Sequence, residues 1–362
     1  MKLLLCGDVC PTALTDPYFA KGDVETLFSD VATLFDGNDV NMVNLECALT
    51  DKETPITKIG PNLRASVGTA ATLAKMGVTH CGLSNNHTFD YGRAGVADML
   101  AALQENHITY TGFGENYADS RKNLVVEKSG ERVTVIAVCE HEYTYAMENA
   151  MGARPFDEFD TIEDIRAAKA QGGTVIVLYH GGKEFCRYPS PRLVRTCRAM
   201  ARAGADLVLC QHSHCIGCYE SYEGCHILYG QGNFHFVGRK DDEYWHSGVA
   251  VKYDSAARTI DFVPYVMNAT GIELAKGTER EQLMAEFAAR SAMMTDGTWI
   301  NGWRAFCESV RDNYVKAVTN AGIGEGAELE KNNHKFAHYL DCEAHTDVWR
   351  ELYKTTHHTN EK

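Results

Sequence analysis

The sequence contains no apolar run that approaches the length of a membrane span. A transmembrane helix needs roughly 20 predominantly apolar residues, whereas the apolar runs here have the length of strands. The N-terminal segment "MKLLLCGDVC" has one Lys and a short apolar run that Gly7 and Asp8 interrupt, which is too short for the apolar part of a signal peptide. The sequence therefore predicts a first strand and no membrane segment.

The cysteines do not form the even, closely spaced pattern of a disulfide framework. There are 13 of them, an odd number, and they lie within apolar runs such as "HCGL" and "LVLC". Secreted disulfide scaffolds are shorter and evenly paired. We therefore expect reduced thiols and a cytoplasmic location.

Positive charge is also scarce. The chain has 35 Lys and Arg against 49 Asp and Glu, a net charge of −14. This balance argues against binding to nucleic acid and to anionic membranes. An anionic substrate would need a local site that overcomes the repulsion from the net negative charge. The sequence has no internal repeat and no low-complexity linker, and it gives no indication of the oligomeric state.

The pattern of apolar segments predicts an α/β fold. At 362 residues the chain exceeds the usual single-core size. Runs such as "VNMVNL" and "TVIVLY" alternate with helix-period segments such as "GTAATLAKMG" and "PRLVRTCRAMARAGAD", which indicates a sheet covered by helices. "VAVKYD" and "TIDFVPYVM" predict a late hairpin. After about residue 275 the segments are helical, so we expect a domain over residues 1–270 and a helical C-terminal extension over 271–362.

Potential metal ligands follow nearly every predicted strand at its C-terminal edge. In open α/β sheets this edge is where sites assemble, so distant residues can converge there. Carboxylates, an amide oxygen and imidazoles form a mixed ligand set that suits Mn, Fe or Zn, and two such ions could activate water against a phosphoryl or acyl group. The candidates are Asp8, Cys10, Glu46, Asn86, His87, His180, His212, His214 and Asn233.

The segment "LSNNHTFDYG" contains more than a turn requires. His87 is predicted to act as a general acid or anion stabiliser, with Asp90 fixing its tautomer. Each residue alone also has a structural interpretation, since Asp90 could cap a helix starting near Arg93 and His180 could be a satisfied buried imidazole. Their occurrence together at successive strand ends favours a functional site.

The motifs taken as a set resemble those of a known family. They are "GDV" at 7–9, "NLECALT" at 44–50, "NNHTFDYG" at 85–92, "HGGKEF" at 180–185, "QHSH" at 211–214 and "GNF" at 232–234. Over roughly residues 1–265 the chain resembles the bacterial capsule-biosynthesis CapA family, the poly-γ-glutamate synthesis proteins of the calcineurin-like metallophosphoesterase superfamily. The resemblance implies a four-layer α/β/β/α sandwich with a dinuclear metal site at the sheet edges.

The resemblance also implies a role for each matched residue. Glu46 would bridge the two ions, in place of the superfamily's bridging Asp, and His87 would be catalytic. Glu184, within an "HxGxE" stretch, would contact substrate or the groups around the metals. The terminal ligands would be Asp8 and His214 for one ion and Asn86, His180 and His212 for the other.

Three departures from the family pattern change these expectations. Cys10 stands where the wider superfamily has the His of its D-x-H motif, so we expect a weak or empty first metal site and a buried structural thiol. Ser213 replaces the usual Pro between the two His ligands, which ligation should tolerate. Family members are often exported or membrane-anchored, and no such segment is visible here, which argues against direct participation in an extracellular capsule.

Three minor signals have competing interpretations. Cys215 and Cys218 could form a zinc knot or a redox pair, but no second CxxC is present and unpaired core cysteines are favoured. Glu140 and His141 could add to the rim of the site. The basic residues after His180 could attract an anionic substrate or form a solvated helix face. Arg187 is the best substrate-binding candidate among them, beside Glu184 and Asn233.

The sequence therefore predicts a metal-dependent hydrolase in which metal-bound hydroxide attacks a phosphoester and His87 assists the leaving group. Two alternatives stay open. The same ligands would serve hydrolysis or transfer at a γ-glutamyl amide, and a non-catalytic assembly factor could bind an acidic polymer through the basic helix. The substrate, small or polymeric, is expected to be anionic.

Overall fold

The computed structural model describes residues 1–238 and 242–354, so residues 355–362 of the predicted extension lie outside the described residues.

The strands follow the apolar runs, and every residue of Val40–Leu45 is buried. In chain order they are β1 Lys2–Val9, β2 Val40–Leu45, β3 Ala48–Leu49, β4 Arg64–Ala65, β5 His80–Gly82, β6 Thr109–Thr111, β7 Phe113–Gly114, β8 Leu124–Lys128, β9 Glu131–Cys139, β10 Gly152–Ala153, β11 Thr174–His180, β12 Leu207–Gln211, β13 Tyr219–Tyr222, β14 Cys225–Leu228, β15 Asn233–His235, β16 Ser247–Asp254, β17 Thr259–Met267 and β18 Ile272–Leu274.

The helices begin and end at residues with suitable local chemistry. Pro191–Ala203 is capped by the Ser190 hydroxyl, which accepts a hydrogen bond from the Leu193 amide, and it ends at Gly204 with a φ of 119°, a conformation that favours glycine. The helices are α1 Asp16–Lys21, α2 Val24–Phe28, α3 Gly68–Met76, α4 Gly92–Glu105, α5 Tyr117–Ser120, α6 Glu158–Ala170, α7 Pro191–Ala203, α8 Gly277–Asp296, α9 Trp299–Thr319, α10 Gly326–Asp341 and α11 Glu343–Tyr353, with a 3-10 segment at Ser29–Phe35.

An eight-stranded mixed sheet forms one central layer. Its order is β18-β17-β16-β1-β2-β5-β6, with β15 also paired to β1. The strands β1, β2, β5 and β6 are parallel neighbours, whereas β16 to β18 are antiparallel. The predicted late hairpin is confirmed, because β16 and β17 pair on either side of residues 255–258. The Asp254 carboxylate accepts hydrogen bonds from the amides of Ala256 and Ala257 in this turn.

A six-stranded sheet forms the other central layer, in the order β13-β14-β12-β11-β9-β8. Its four central strands are parallel, and its two edge strands are antiparallel to their neighbours. The carboxyl ends of β9, β11 and β12 therefore lie at one edge. Two short two-stranded ladders, β3–β4 and β7–β10, complete the pairing.

Apolar side chains pack the two sheets against each other and cover their outer faces. Leu3 and Leu5 of β1 face Val135 of β9 and Ile176 of β11 in the core between the sheets. Residues of α1 to α4 cover the outer face of the first sheet, and residues of α6 and α7 cover that of the second. The order helix, sheet, sheet, helix confirms the predicted four-layer α/β/β/α sandwich.

The C-terminal helices pack around an apolar cluster of their own. Trp303, Cys307, Tyr314 and Val348 form it together with Cys186 from the sandwich. The predicted helical extension is thus present, while its exact limit at residue 270 stays a prediction, since β18 still belongs to the first sheet. Within the part of the chain that the structure describes, no helix is long and apolar enough to cross a bilayer.

Candidate metal centre

The carboxyl ends of parallel strands from both sheets meet at one place. Asp8 lies near the end of β1 and pairs in register with Asn44 of β2, and His180 is the last residue of β11. The Asp8 carboxylate accepts a hydrogen bond of 3.1 Å from the backbone amide of His212, 204 positions away. The two sheets therefore converge where the sequence predicted.

Close backbone packing explains the glycine of the "GDV" motif. A Cβ atom on Gly7 would lie 2.2 Å from the carbonyl oxygen of Gly232, which a side chain could not occupy. Glycine at this position lets the "GNF" segment approach β1, and Asp8 pairs with Asn233 as a result. The two motifs thus support one another structurally.

Two groups of potential ligands share Glu46. Asp8, Glu46 and His180 form one group, and Glu46, His212 and His214 form the other; within each group the ligand atoms lie within 4.8 Å of one another. The family resemblance predicted that His212 and His180 bind the same ion. In the structure His212 is instead grouped with His214. The shared carboxylate is the one that the family resemblance assigned as the bridge.

The electrostatics of Glu46 fit a cation. Its side chain is fully buried, and neither carboxylate oxygen forms a hydrogen bond. Burial raises the pKa of Glu46 to about 8, with the positive charge of His212 opposing the shift. Burial and the charge of Glu46 likewise raise the pKa of Asp8 to about 7. A divalent ion would supply the countercharge that these buried carboxylates need.

Two of the imidazoles are held neutral by burial. Burial and the nearby His212 lower the pKa of His180 to about 3, and burial lowers that of His214 to about 3. Neutral imidazoles carry the lone pair that metal binding requires. His212 differs, because burial would lower its pKa but the carboxylates of Glu142, Glu184 and Glu46 raise it to about 10.

The backbone around the two C-terminal ligands is unusual. His212 has a φ of 83° and His214 a φ of 56°. Left-handed backbone is uncommon for residues other than glycine and often marks a functional site. This conformation lets two imidazoles that alternate along the chain point into the same place.

Asn233 orients His214. Its side-chain Oδ1 lies 2.8 Å from His214 Nδ1, and its side-chain Nδ2 donates to the backbone carbonyl of Trp245 at 3.2 Å. A proton on Nδ1 would leave Nε2 of His214 facing Glu46 at 4.0 Å and Glu184 at 3.9 Å. Both ends of the Asn233 amide are thus engaged within the protein, so its predicted substrate contact stays a prediction.

Asn86 and His87 point in different directions. The Asn86 Oδ1 atom lies 3.0 Å from His180 Nε2, and its amide donates to Glu142 at 2.7 Å. His87 Nδ1 lies 2.6 Å from the Asp90 carboxylate and 3.1 Å from Lys58 Nζ. The helix-cap interpretation of Asp90 is excluded, because α4 has Tyr91 at its N-cap and no side-chain cap. Asp90 instead ion-pairs with Lys58 and positions His87.

Three residues at this site were missed by the sequence analysis. Asn44 Nδ2 donates to the Asp8 carboxylate at 2.8 Å and lies 3.2 Å from His180 Nδ1. Its position inside the fully buried strand β2 is the sequence signal that could have identified it. Glu142, rather than Glu140, faces the site, with Oε1 3.4 Å from His212 Nε2. Lys58 comes from a loop whose composition gives no signal.

The predicted substrate residues lie in different surroundings. Glu184 is 36% exposed and reaches Lys183 at 3.6 Å; burial would raise its pKa, but Lys183 and His212 lower it to about 2. Arg187 stacks on the Tyr244 ring at 3.7 Å and pairs with Glu286 at 3.3 Å. Neither partner of Arg187 is a candidate metal ligand, so its binding to substrate stays a prediction.

Two of the four arginines on the helix that follows form ion pairs. Arg192 pairs with Glu140 and Asp347, and Arg198 pairs with Glu220 at 2.6 Å. Arg195 and Arg202 are exposed, so attraction of an anionic substrate by this helix stays a prediction.

The cysteines behave as buried thiols. All are free and buried, and burial raises the pKa of Cys10 well above its usual value. Cys215 and Cys218 belong to none of the possible metal-holding groups found within residues 1–238 and 242–354. The structure thus agrees with the expectation of structural cysteines.

Similar proteins are known from several bacteria. The capsule biosynthesis protein CapA of Bacillus anthracis is 29% identical over 280 residues, covering 73% of this chain and 67% of that protein. The PGA biosynthesis protein CapA of Bacillus subtilis is 27% identical over 241 residues, covering 64% and 62%. A probable polyglutamine synthesis accessory protein of Mycobacterium tuberculosis is 26% identical over 208 residues, covering 54% and 55%. The matches thus span between about half and two thirds of these relatives.

Solved structures are more distant in sequence. A hypothetical protein from Thermus thermophilus aligns with a TM-score of 0.46 and 13% identity, covering 74% of this chain and 99% of that one. A dimetal phosphatase from Danio rerio aligns with a TM-score of 0.37 and 10% identity, covering 64% and 96%. At this distance the chemistry must be argued from the residues of this chain.

A family model accounts for the ordered motifs. The model described as "Bacterial capsule synthesis protein PGA_cap" matches residues 2–237, which include each strand-end ligand and exclude the C-terminal helices. The chain therefore belongs to the bacterial capsule synthesis protein family PGA_cap.

Proposed function

We propose that this chain is a metal-dependent hydrolase that cleaves a phosphoester. The observation that carries the proposal is Glu46, a fully buried carboxylate without a hydrogen bond that belongs to both candidate ligand groups. The residues that would hold one or two divalent ions are Asp8, Glu46, Asn86, His180, His212 and His214. Bound Mn, Fe or Zn would supply a Lewis acid and lower the pKa of water.

His87 is the proposed proton donor or anion stabiliser. Asp90 fixes its Nδ1 side, which leaves Nε2 to act on the leaving group. Burial and Lys58 lower the pKa of His87, while Asp90 opposes them. With the Nδ1 proton held by Asp90, donation from Nε2 requires the imidazolium form, which the Asp90 carboxylate favours. Lys58 also lies beside the ring, where its charge is paired with the buried Asp90 carboxylate.

The test compares stripped and reloaded protein. Chelator-treated protein is assayed with an aryl phosphate and a bis-aryl phosphate, before and after addition of Mn, Fe or Zn. We expect activity only after reloading and a loss of at least about 10³-fold in Glu46→Gln, because several kcal/mol of charge stabilisation disappear. Glu105→Gln, on the exposed end of α4, is the matched control. Equal activity with and without metal would refute the proposal.

A second candidate keeps the metals but acts on a γ-glutamyl amide. It is favoured by the name of the Bacillus subtilis relative, a PGA biosynthesis protein, and ligand type does not discriminate between the two bonds. Aryl phosphate and a poly-γ-glutamate oligomer should be compared under identical metal. Release of glutamate from the oligomer, with no cleavage of either phosphate, would select the amide.

A non-catalytic assembly factor is the remaining alternative. His87→Ala separates it from both hydrolases, because turnover and polymer binding can be measured independently. A hydrolase should lose about 10²–10⁴-fold in turnover with its metal content unchanged. If neither turnover nor binding changes, His87 has no catalytic function and the assembly factor is favoured.

A further inference from the structure

A second cluster of metal-binding side chains lies beside the candidate centre. Glu142, His338 and His345 have ligand atoms within 4.8 Å of one another. Glu142 follows β9 in the sandwich, whereas the two histidines belong to α10 and α11. These helices lie outside the segment that the family model matches, so the family gives no expectation for them.

The two histidines are held in place by aromatic contacts. Tyr314 Oη lies 2.6 Å from His345 Nδ1, and the Tyr339 ring stacks on the His345 ring at 4.0 Å. His338 stacks on Tyr143 at 4.9 Å and meets His345 edge-on at 4.7 Å. With Nδ1 of His345 engaged by the hydroxyl, Nε2 is the atom that remains for a ligand, an arrangement typical of metal-binding histidines.

The composition of the cluster also suits a cation, since it combines one carboxylate with two imidazoles. This is a known Zn²⁺ ligand set that leaves a fourth position open.

We propose that Glu142, His338 and His345 bind an additional divalent cation, with zinc the best match to the ligand set. Glu142 connects this cation to the main centre, because its carboxylate also contacts Asn86 at 2.7 Å and His212 at 3.4 Å, beside the Cys342 thiol, which donates to it at 3.3 Å. An ion here would tie the C-terminal helices to the sandwich. It would also place positive charge at the rim of the site, where an anionic group of the substrate would arrive.

The test measures zinc content and zinc-dependent thermal stability. Full-length chain is stripped with chelator, saturated with zinc, desalted and analysed for metal. We expect the wild-type chain to retain one more zinc per chain than His338→Gln/His345→Gln and to show a larger rise in melting temperature with zinc. His334→Gln, on the exposed face of the same helix, is the matched control and should behave as wild type.

Further variants keep the outcome decisive. His338 is only partly buried, so His338→Gln alone should fold, as circular dichroism would verify, and should still lose the additional zinc. Glu46→Gln should lose zinc at the main centre and keep the additional ion, so failure of the hydrolase proposal is distinguishable from failure of this one. Equal zinc content and equal stabilisation in wild type and in both histidine variants would overturn the additional site.

Discussion

The sandwich and the C-terminal helices position their histidines in different ways. In the sandwich, hydrogen-bonded register places the strand ends from which the ligands project, as where His180 of β11 pairs with Gln211 of β12 immediately before His212. In the helices, His345 is instead positioned by the rings of Tyr314 and Tyr339. Backbone register is dictated by the fold, whereas ring packing depends on a few side chains. The sheet edge is therefore the part of the site that a family can share, and the helices are the part that can distinguish one member.

The largest expected effect tests the sheet-edge ligands against the helix ligands. His180→Ala should remove metal from the main centre and reduce hydrolysis at least about 10³-fold, because metal charge stabilisation is lost. His345→Gln should leave the main centre loaded and reduce hydrolysis far less. Metal analysis and turnover on the same preparations make the measurement, with His334→Ala as the exposed control.

Equal losses of activity in His180→Ala and His345→Gln would break this comparison. The two regions would then form one inseparable centre. The opposite result, a catalytically silent His180, would instead remove the main centre from the mechanism.

A smaller effect is expected from the residues that orient ligands. Asn233→Ala removes the oxygen that lies 2.8 Å from His214 Nδ1, and loss of such partners typically costs 10–100-fold in metal affinity or activity. Metal affinity is measured by competition with a chelator of known strength. The same loss should recover when excess metal is added, which a direct substrate contact would not predict.

The attachment of the helices to the sandwich gives a third prediction. Asp347 of α11 accepts hydrogen bonds from Ser190 and Arg192, both from the sandwich side, and Arg192 also pairs with Glu140. Asp347→Asn should lower the free energy of unfolding by about 1–3 kcal/mol, since a buried charged partner is lost. Denaturant unfolding measures this change, with the exposed Asp312→Asn as control. No change would mean that apolar packing alone attaches the helices.

Most of the fold could be predicted because its signals are local. Strand β2 coincides with "VNMVNL", and helix α7 begins at the proline of "PRLVRTCRAMARAGAD". The convergence of Asp8, Glu46 and His180 followed from a general rule about parallel strand ends. Tertiary packing of the C-terminal helices could not be predicted, because amphipathic helices carry no information on which layer they contact.

The site was predicted less completely than the fold. Glu142 was missed in favour of Glu140, because periodicity ends with β9 and the following turn decides which side chain points inward. Lys58 lies in a loop without regular structure, so nothing in its surroundings indicated contact with His87 and Asp90. His338 and His345 depend on long-range packing, which sequence patterning does not contain.

The pH dependence of stability tests the sandwich separately from the helices. The pKa of Glu46 rises from an ordinary value near 4.5 to about 8 in the folded chain, so the folded state binds its proton more tightly. In metal-free protein this contribution to stability is full below about pH 4.5 and is lost as pH rises towards 8. Wild type should therefore lose stability relative to Glu46→Gln over this window, by at most about 1.4 kcal/mol per pH unit. Metal should abolish the difference in slope, because the ion replaces the proton. Parallel pH profiles of the two metal-free proteins would mean that the pKa of Glu46 is not raised in the folded chain.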